Sequence, residues 1–240
     1  MLELLGERDE SNRYASTVLI EGEAPLLPEG CSGVLIHPRL VLTAAHCACD
    51  WRGSIAVDRP ACAKRARVTA VLHAPSPESH EPTILWQEQE GSIRIHPDFE
   101  IRPGSKTEAL TSHADLAVIL LEKPITLDIP KVHLTTTEAQ AGESLVTAGF
   151  GNEPELARVH GARYFRPGKI TQVLASQAGQ VLYEPAGAYL NTSYRGGPCF
   201  IQRGKRQWLA GIVGLGTAQE MSFTSTYFHR DWVQAELKSL

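Results

Sequence analysis

The segment CSGVLIHPRLVLTAAHC, from Cys31 to Cys47, constrains the fold of this chain more than any other stretch. Two apolar runs flank a turn at His37-Pro38, and their length and β-branched content predict two consecutive strands. The second strand leads directly into a histidine, His46, which follows two alanines and precedes a cysteine. The segment therefore indicates a β fold that holds one histidine at the end of a strand. Two interpretations stay open for His46, a functional base or a packed histidine beside a structural disulfide.

Short apolar segments recur along the rest of the chain and end at Gly, Pro, Asp or Ser. Such segments favour strands, and many short strands separated by turns predict a sandwich or a barrel. We expect the polar stretch HAPSPESHEPT to be a surface loop. The segments that predict strands include STVLIEG, SIRIHP, DLAVILL, ESLVTAGF, KITQVLAS, QVLYE and WLAGIVGLG.

The C-terminal stretch HRDWVQAELKSL is the exception to this β pattern. Trp232, Leu237 and Leu240, with Val233 nearby, fall on one face of a helix. Two prolines interrupt the apolar pattern in LEKPITLDIPKVHL. We therefore predict an all-β body with one C-terminal helix, divided into two β domains, 1–126 and 127–240.

The composition limits the classes of partner. A net charge of −4 over 240 residues gives no electrostatic reason to expect nucleic acid as a partner. No apolar run is long enough to span a membrane. The five cysteines include no C-x-x-C pair and no Cys/His cluster with zinc-ligand spacing, so we expect no metal and no cofactor.

Asp115, in the segment HADLAVILLEKPI, is the second candidate functional residue. It stands at the head of an apolar strand, where a carboxylate without a hydrogen-bond donor would be costly. His46 is the natural donor, because a buried carboxylate that accepts from the imidazole Nδ1–H sets the tautomer and stabilises the charged ring. The alternative interpretation is that Asp115 only caps a strand.

The segment around His46 resembles the histidine segment of the trypsin/chymotrypsin-like serine peptidases over its whole length. The segment around Asp115 resembles the aspartate segment of the same family, and IRIHPDF, TAGFGN and WLAGIVGLG resemble further segments of it. The resemblance covers nearly the whole chain. It implies two six-stranded antiparallel β-barrels with a C-terminal helix, His46 and Asp115 in the N-terminal barrel, and the chain order of a chymotrypsin-type triad.

Four of the cysteines are predicted to form disulfides. A Cys31–Cys47 bond would close the loop that carries His46, and we favour a second bond between Cys49 and Cys62. In the alternative, Cys49 or Cys62 pairs with Cys199, which otherwise is a small buried residue. Two disulfides imply a secreted or periplasmic protein. Because the charges in MLELLGERDE come too early for a signal peptide, we expect that an export signal has been removed.

The loop that should carry the nucleophile departs from the family pattern. The family reads Gly-Asp-Ser-Gly-Gly-Pro, and an ungapped comparison with Gly196-Gly197-Pro198 places Ser193, Tyr194 and Arg195 at its first three positions. Arginine has no nucleophilic oxygen. The oxyanion-like loop then consists of Ser193, Tyr194, Arg195 and Gly196. Gly214 stands where the family has a serine that donates to the aspartate.

A second comparison inserts Tyr194-Arg195 after the nucleophile and makes Ser193 the attacking residue. The chain is accordingly predicted to be either a catalytically inactive homologue that binds proteins or regulates them, or an active serine endopeptidase with Ser193, His46 and Asp115. A structural domain of a larger exported assembly is a third possibility. The expected partner is a protein or peptide in the substrate-like groove, whose pocket we expect to be lined by Tyr189, Gly214 and Gly216.

Overall fold

The computed structural model describes residues 6–22, 30–49, 62–76, 82–102, 111–151, 162–186, 194–215 and 221–240. Two closed antiparallel β-barrels make up most of it, as the resemblance implied. The first barrel closes in the order β2 (Thr17–Gly22), β3 (Cys31–His37), β4 (Leu40–Thr43), β9 (Ala117–Leu121), β6 (Thr83–Ile95) and β5 (Arg65–Ala74). A separate hairpin joins β7 (Glu100–Arg102) to β8 (Thr111–His113).

The second barrel also has six strands, and it carries an additional short strand at one edge. Its order is β11 (Tyr164–Leu174), β10 (Ser144–Gly149), β13 (Pro198–Arg203), β14 (Arg206–Val213), β15 (Met221–Ser225) and β12 (Gln180–Pro185), which pairs back to β11. The additional strand is β1 (Glu7–Arg8), which pairs with β11. The N-terminal residues thus attach to the second barrel, while the division at 126/127 stays a prediction.

The two barrels pack against each other through apolar side chains, and some of the strands involved are buried along almost their whole length. All four residues of β4 are buried, and in β3 only His37 is exposed. Phe200, Leu209 and Ile212 of the second barrel belong to the same buried cluster as the interior of the first barrel. The buried strands β3 and β4, which lead to His46, are therefore packed against both barrels.

Two expectations about local structure need correction, and the first concerns the stretch expected to be a loop. His73 and Ala74, within that stretch, continue β5, and Thr83 begins β6, because these strands pair from Arg65↔Ser92 to Ala74↔Thr83. Residues 77–81 of the stretch lie outside the described residues.

The second correction concerns the C-terminal helix α1 (Arg230–Lys238), which buries Val233 and packs Trp232 and Leu237 against the core. Leu240 does not share that buried face, because the helix ends before it, and it is 40% exposed. Within the described part of the chain, none of the helices has the length and apolar character needed to cross a bilayer.

Candidate active site

His46 lies in a short 3-10 turn (Ala45–Cys47) that directly follows β4. The fully buried Ala44 and Ala45 allow this turn to pack closely against the barrel. The Cys31–Cys47 disulfide ties this turn to β3. Just before the turn, at the end of β4, the Thr43 hydroxyl donates to the Ser32 carbonyl of β3 at 2.8 Å. The imidazole is consequently held in place and is almost completely buried, with 4% of the residue exposed.

Asp115 lies just before β9, in a tight turn. The Leu116 N–H donates to the Ala114 carbonyl at 2.7 Å, and Ala114 has a positive φ of 48°. A non-glycine residue in this left-handed region stores backbone strain, which is common where a side chain must be held in one position. The turn directs the fully buried Asp115 carboxylate toward His46.

The Asp115 carboxylate accepts three hydrogen bonds. Its Oδ1 accepts from the His46 backbone N–H at 2.9 Å, and its Oδ2 accepts from His46 Nδ1 at 2.7 Å and from the Ser112 hydroxyl at 3.1 Å. Burial alone would raise the pKa of Asp115, but the charge and hydrogen bonds of His46, together with the Ser112 hydroxyl, outweigh burial and hold the pKa below its ordinary value. Asp115 is therefore ionised at neutral pH.

Ser112 is a member of the site that sequence reasoning missed. It is half-buried, and it lies three positions before Asp115, at the end of the β7–β8 hairpin. Nothing in the sequence marks it, because a serine in a polar stretch is ordinary. The Asp115 carboxylate, however, has lone pairs beyond those that the predicted donor His46 would use, and a nearby hydroxyl would satisfy them.

The arrangement of His46 and Asp115 is suited to general-base chemistry. With Nδ1–H donating to Asp115, the neutral imidazole carries its lone pair on Nε2, which is the atom that would take a proton. Nε2 lies 3.9 Å from the Cys47 sulfur. Cys31, His46 and Cys47 form the one cluster of metal-ligating side chains among the described residues, but both sulfurs are in a disulfide and are not thiolate ligands.

The turn from Tyr194 to Gly197 precedes β13 and is fixed by backbone hydrogen bonds. The Arg195 carbonyl accepts from the Ser32 N–H at 2.8 Å, Gly196 donates to the Val213 carbonyl at 3.0 Å, and Gly197 donates to the Tyr194 carbonyl at 2.9 Å. Gly196 has a φ of +74°, and a Cβ there would overlap the Ser32 carbonyl and the Thr43 hydroxyl. Gly196 is thus required both for its conformation and for its contact with the histidine segment.

The Tyr194 side chain is buried beneath this turn. It packs against Gly149, and a Cβ on Gly6 would overlap the Tyr194 hydroxyl, so the N-terminal segment lies directly on that hydroxyl. Burial raises the pKa of Tyr194, and a hydrogen bond and the positive charge of Arg166 only partly oppose that increase. Sequence reasoning identified Tyr194 but missed Arg166, which lies on β11.

Gly214 lies beside the Asp115 carboxylate. A Cβ built on Gly214 would be 3.6 Å from Asp115 Oδ2 and 3.5 Å from the Ser222 hydroxyl, which are ordinary van der Waals distances. The position therefore has room for a small side chain next to the carboxylate.

The remaining predicted residues divide into two groups. Cys49 is joined to Cys62 by a disulfide, and Cys199 is a buried free thiol whose pKa is raised by burial, so the alternative pairing with Cys199 is not formed. Tyr189, Ser193 and Gly216 lie outside the described residues.

Comparisons with known proteins agree with this fold. The model of the family described as Trypsin matches residues 6–229. A mutant of human heparin binding protein is similar in structure, with a TM-score of 0.65 and 16% sequence identity, over 97% of this chain and 96% of that one. A complex of kallikrein-related peptidase 10 with Zn2+ is also similar, with a TM-score of 0.63 and 17% identity, over 95% of this chain and 98% of that one.

Proposed function

This chain belongs to the trypsin family, and from that membership we propose that it is a serine-protease homologue without a working nucleophile. It acts instead as a protein-binding or regulatory module. Its partner is a protein or peptide that occupies the substrate-like groove, and Tyr189, Gly214 and Gly216 are the residues that we propose for its pocket. Its two disulfides favour an oxidising compartment, and we propose that the protein is secreted or periplasmic.

The observation that carries this proposal is the turn in which Arg195 directly precedes Gly196. Backbone hydrogen bonds to Ser32 and Val213 hold the turn on both sides. The positive φ at position 196 favours glycine there, which fixes how the sequence is placed in the turn. In this register the side chain at the nucleophile's position is a guanidinium, which has no oxygen to attack a carbonyl carbon. His46 then has no hydroxyl to deprotonate at that position.

Tyr194 gives further support. In the same register it takes the place of the carboxylate that, in the family, pairs with a freshly cut N-terminus. Here the buried hydroxyl lies against Gly6 and bonds to Arg166. This contact forms without a terminal ammonium group. It therefore supports the view that the loop takes its shape without cleavage of the chain.

The second candidate function is an active serine endopeptidase with Ser193 as the nucleophile. One observation favours it: the buried Asp115–His46 pair, with 2.7 Å between Oδ2 and Nδ1, keeps the geometry of a general base. A base of this kind has a use in catalysis only if a hydroxyl reaches Nε2. This alternative requires that the turn accommodate Tyr194 and Arg195 as an insertion between the nucleophile and Gly196.

A fluorophosphonate probe separates the two candidates, because it labels a serine only when a neighbouring base activates it. The folded chain, the His46→Ala variant and the Ser193→Ala variant are treated together, with an active trypsin as the positive control. We expect no covalent adduct on the chain by intact-mass measurement. An adduct on Ser193 that both variants abolish would overturn the proposal and establish the endopeptidase.

A further inference from the structure

A groove of about 490 Å³ lies between the C-terminal helix and the loop after β6. None of its residues belongs to the His46–Asp115 pair, so its binding capacity does not depend on whether that pair is active. Its volume is within the range of small-ligand sites. We call it the histidine groove. The lining residues that matter for the argument are His96, Asp98, Phe228, His229, Asp231 and Trp232.

One side of the histidine groove is a continuous row of rings. The ring centroids of Trp232 and His96 are 4.7 Å apart, those of His96 and His229 are 4.7 Å apart, and those of His229 and Phe228 are 5.0 Å apart. Phe228 is 44% exposed, which is unusual for a large apolar side chain. His96 and His229 are buried, so the exposed aromatic surface belongs to Phe228 and to the half-buried Trp232, and a planar or cationic group can stack there.

The groove carries negative charge that its own residues do not neutralise. Asp98 and Asp231 are both exposed, and Asp98 forms no ion pair with another residue in the described ranges. Asp231 has one long contact, 3.8 Å, with the exposed Arg230. Burial lowers the pKa of His96 to about 4 and also lowers that of His229, so neither ring supplies a compensating charge at neutral pH.

His96, which lines the groove, also has an unused polar atom. The residue is only 6% exposed, and its Nδ1 accepts from the Asp98 backbone N–H at 3.2 Å. In the neutral ring the proton is therefore on Nε2, which has no hydrogen-bond partner among the described residues. His229 differs, because its Nε2 donates to the Ala178 carbonyl at 2.9 Å.

We propose that the histidine groove binds an arginine side chain presented by a partner protein. The guanidinium stacks on the exposed Phe228 ring or the half-buried Trp232 ring and pairs with the carboxylates of Asp98 and Asp231. Its weak hydration and planar shape suit it to this combination better than the compact ammonium of lysine. The His96 Nε2–H is a donor for a carbonyl group of the same partner segment.

A metal ion fits the groove less well than a guanidinium. No three ligating atoms of the groove residues described here come within 4.8 Å of one another, and His229 Nε2 is already bonded to a carbonyl. A planar cation can use both the rings and the carboxylates.

The test uses N-acetyl-arginine amide as the probe and N-acetyl-citrulline amide as its neutral isostere. Binding to the whole chain at pH 7 is followed by NMR through the Trp232 indole N–H, assigned with a Trp232→Phe variant. We expect saturable shifts for the arginine probe with a Kd on the order of millimolar, and no saturation for citrulline. The Asp98→Asn/Asp231→Asn variant should weaken binding about tenfold, because it removes two carboxylate interactions.

The matched control is Asp128→Asn/Glu184→Gln, which removes the same charge at exposed positions elsewhere. It should leave binding unchanged. Three outcomes would overturn the proposal: equal affinity for citrulline and arginine, an equal loss of affinity in the control variant, or no shift with arginine while zinc chloride shifts the groove residues.

Discussion

Asp115 is the residue with the strictest local requirements in this molecule. A carboxylate with no exposed surface needs donors for its lone pairs, and it obtains them from His46 on one element and Ser112 on another. The strained Ala114 and the short turn before β9 are the local consequences of directing the carboxylate there. The site is thus built around one charge whose donors come from several segments.

Replacement of Asp115 by Asn should lower the free energy of unfolding by about 2–4 kcal/mol at pH 7. The amide cannot accept from both His46 donors, so one of them loses its partner. Because the pKa of Asp115 is lower in the folded state, its contribution is present above the unfolded pKa and is lost as the pH falls through the folded pKa. Urea unfolding from pH 7 to pH 3 measures both effects. Asp128→Asn, at an exposed site, is the control, and equal stabilities of the two variants would contradict the prediction.

Gly214 provides a second test at the same carboxylate. A serine there should be tolerated, because its Cβ meets only ordinary contacts, and its hydroxyl should donate to Asp115 and lower the pKa of that group further. Gly211→Ser is the matched comparison, since a Cβ there would overlap the Phe223 ring. We expect Gly214→Ser to change the melting temperature by less than about 3 °C and Gly211→Ser to lower it by about 10 °C or more. The same loss in both variants would show that the space beside Asp115 is not available.

Among the elements, the C-terminal helix depends on neutral histidines for its attachment. Trp232 of α1 packs on His96, which in turn packs on His229 at the start of the helix. Asp98, His113 and Asp231 are the other titratable groups that line the same space. Protonation of either buried ring would place a charge among aromatic side chains and beside the other imidazole.

The stability of the chain should therefore fall as the pH decreases from about 6.5 to about 4. The folded pKa of His96 is lowered to about 4, mainly by burial, and the pKa of His229 is lowered in the same direction. The unfolded chain then binds more protons in this window, and each such group contributes about 1.4 kcal/mol per pH unit. Urea unfolding at several pH values should show a shallower slope for His96→Asn than for the wild type. His37→Asn, at an exposed site, controls for the loss of a histidine, and the same slope in wild type and His96→Asn would contradict the assignment.

The whole molecule is joined by a buried ion pair between Asp9 and Arg163. Both side chains have no exposed surface, and Arg163 Nε donates to Asp9 Oδ2 at 2.8 Å. Arg163 precedes β11 of the second barrel and also donates to the Val71 carbonyl on β5 of the first barrel at 2.9 Å. Burial lowers the pKa of Arg163, and the Asp9 carboxylate opposes that effect. The pair therefore connects the N-terminal segment to both barrels.

Asp9→Asn should destabilise the whole chain by about 3–5 kcal/mol, because the buried guanidinium loses its counter-charge. The double variant Asp9→Leu/Arg163→Met should lose less free energy of unfolding than Asp9→Leu and Arg163→Met lose together as single variants, since it leaves no unpaired charge. Denaturant unfolding followed by tryptophan fluorescence measures these values. Glu10→Gln, at the exposed neighbouring carboxylate, should cost under about 0.5 kcal/mol. Additive single effects would show that Asp9 and Arg163 act independently.

Local patterns in the amino-acid sequence were sufficient to predict a chain of short strands and the C-terminal helix, because these features depend on the spacing of apolar residues within a few positions. The two barrels followed from the resemblance of whole segments to a known family, and the pairing of Asp115 with His46, 69 positions apart, followed from the need of a buried carboxylate for a donor. The same patterns failed at the ends of elements, as at Leu240 and in the β5–β6 hairpin, where pairing with another strand or the end of a helix decides the outcome.

Other contacts that join distant segments appeared only once the barrels were folded and packed together. Asp9 meets Arg163 across 154 positions of sequence, and Arg166 reaches Tyr194 from another strand. The groove beside the C-terminal helix likewise collects histidines from separate segments of the chain. No periodicity predicts such meetings, because the packing of whole barrels, rather than the preference of any single residue, brings these side chains together.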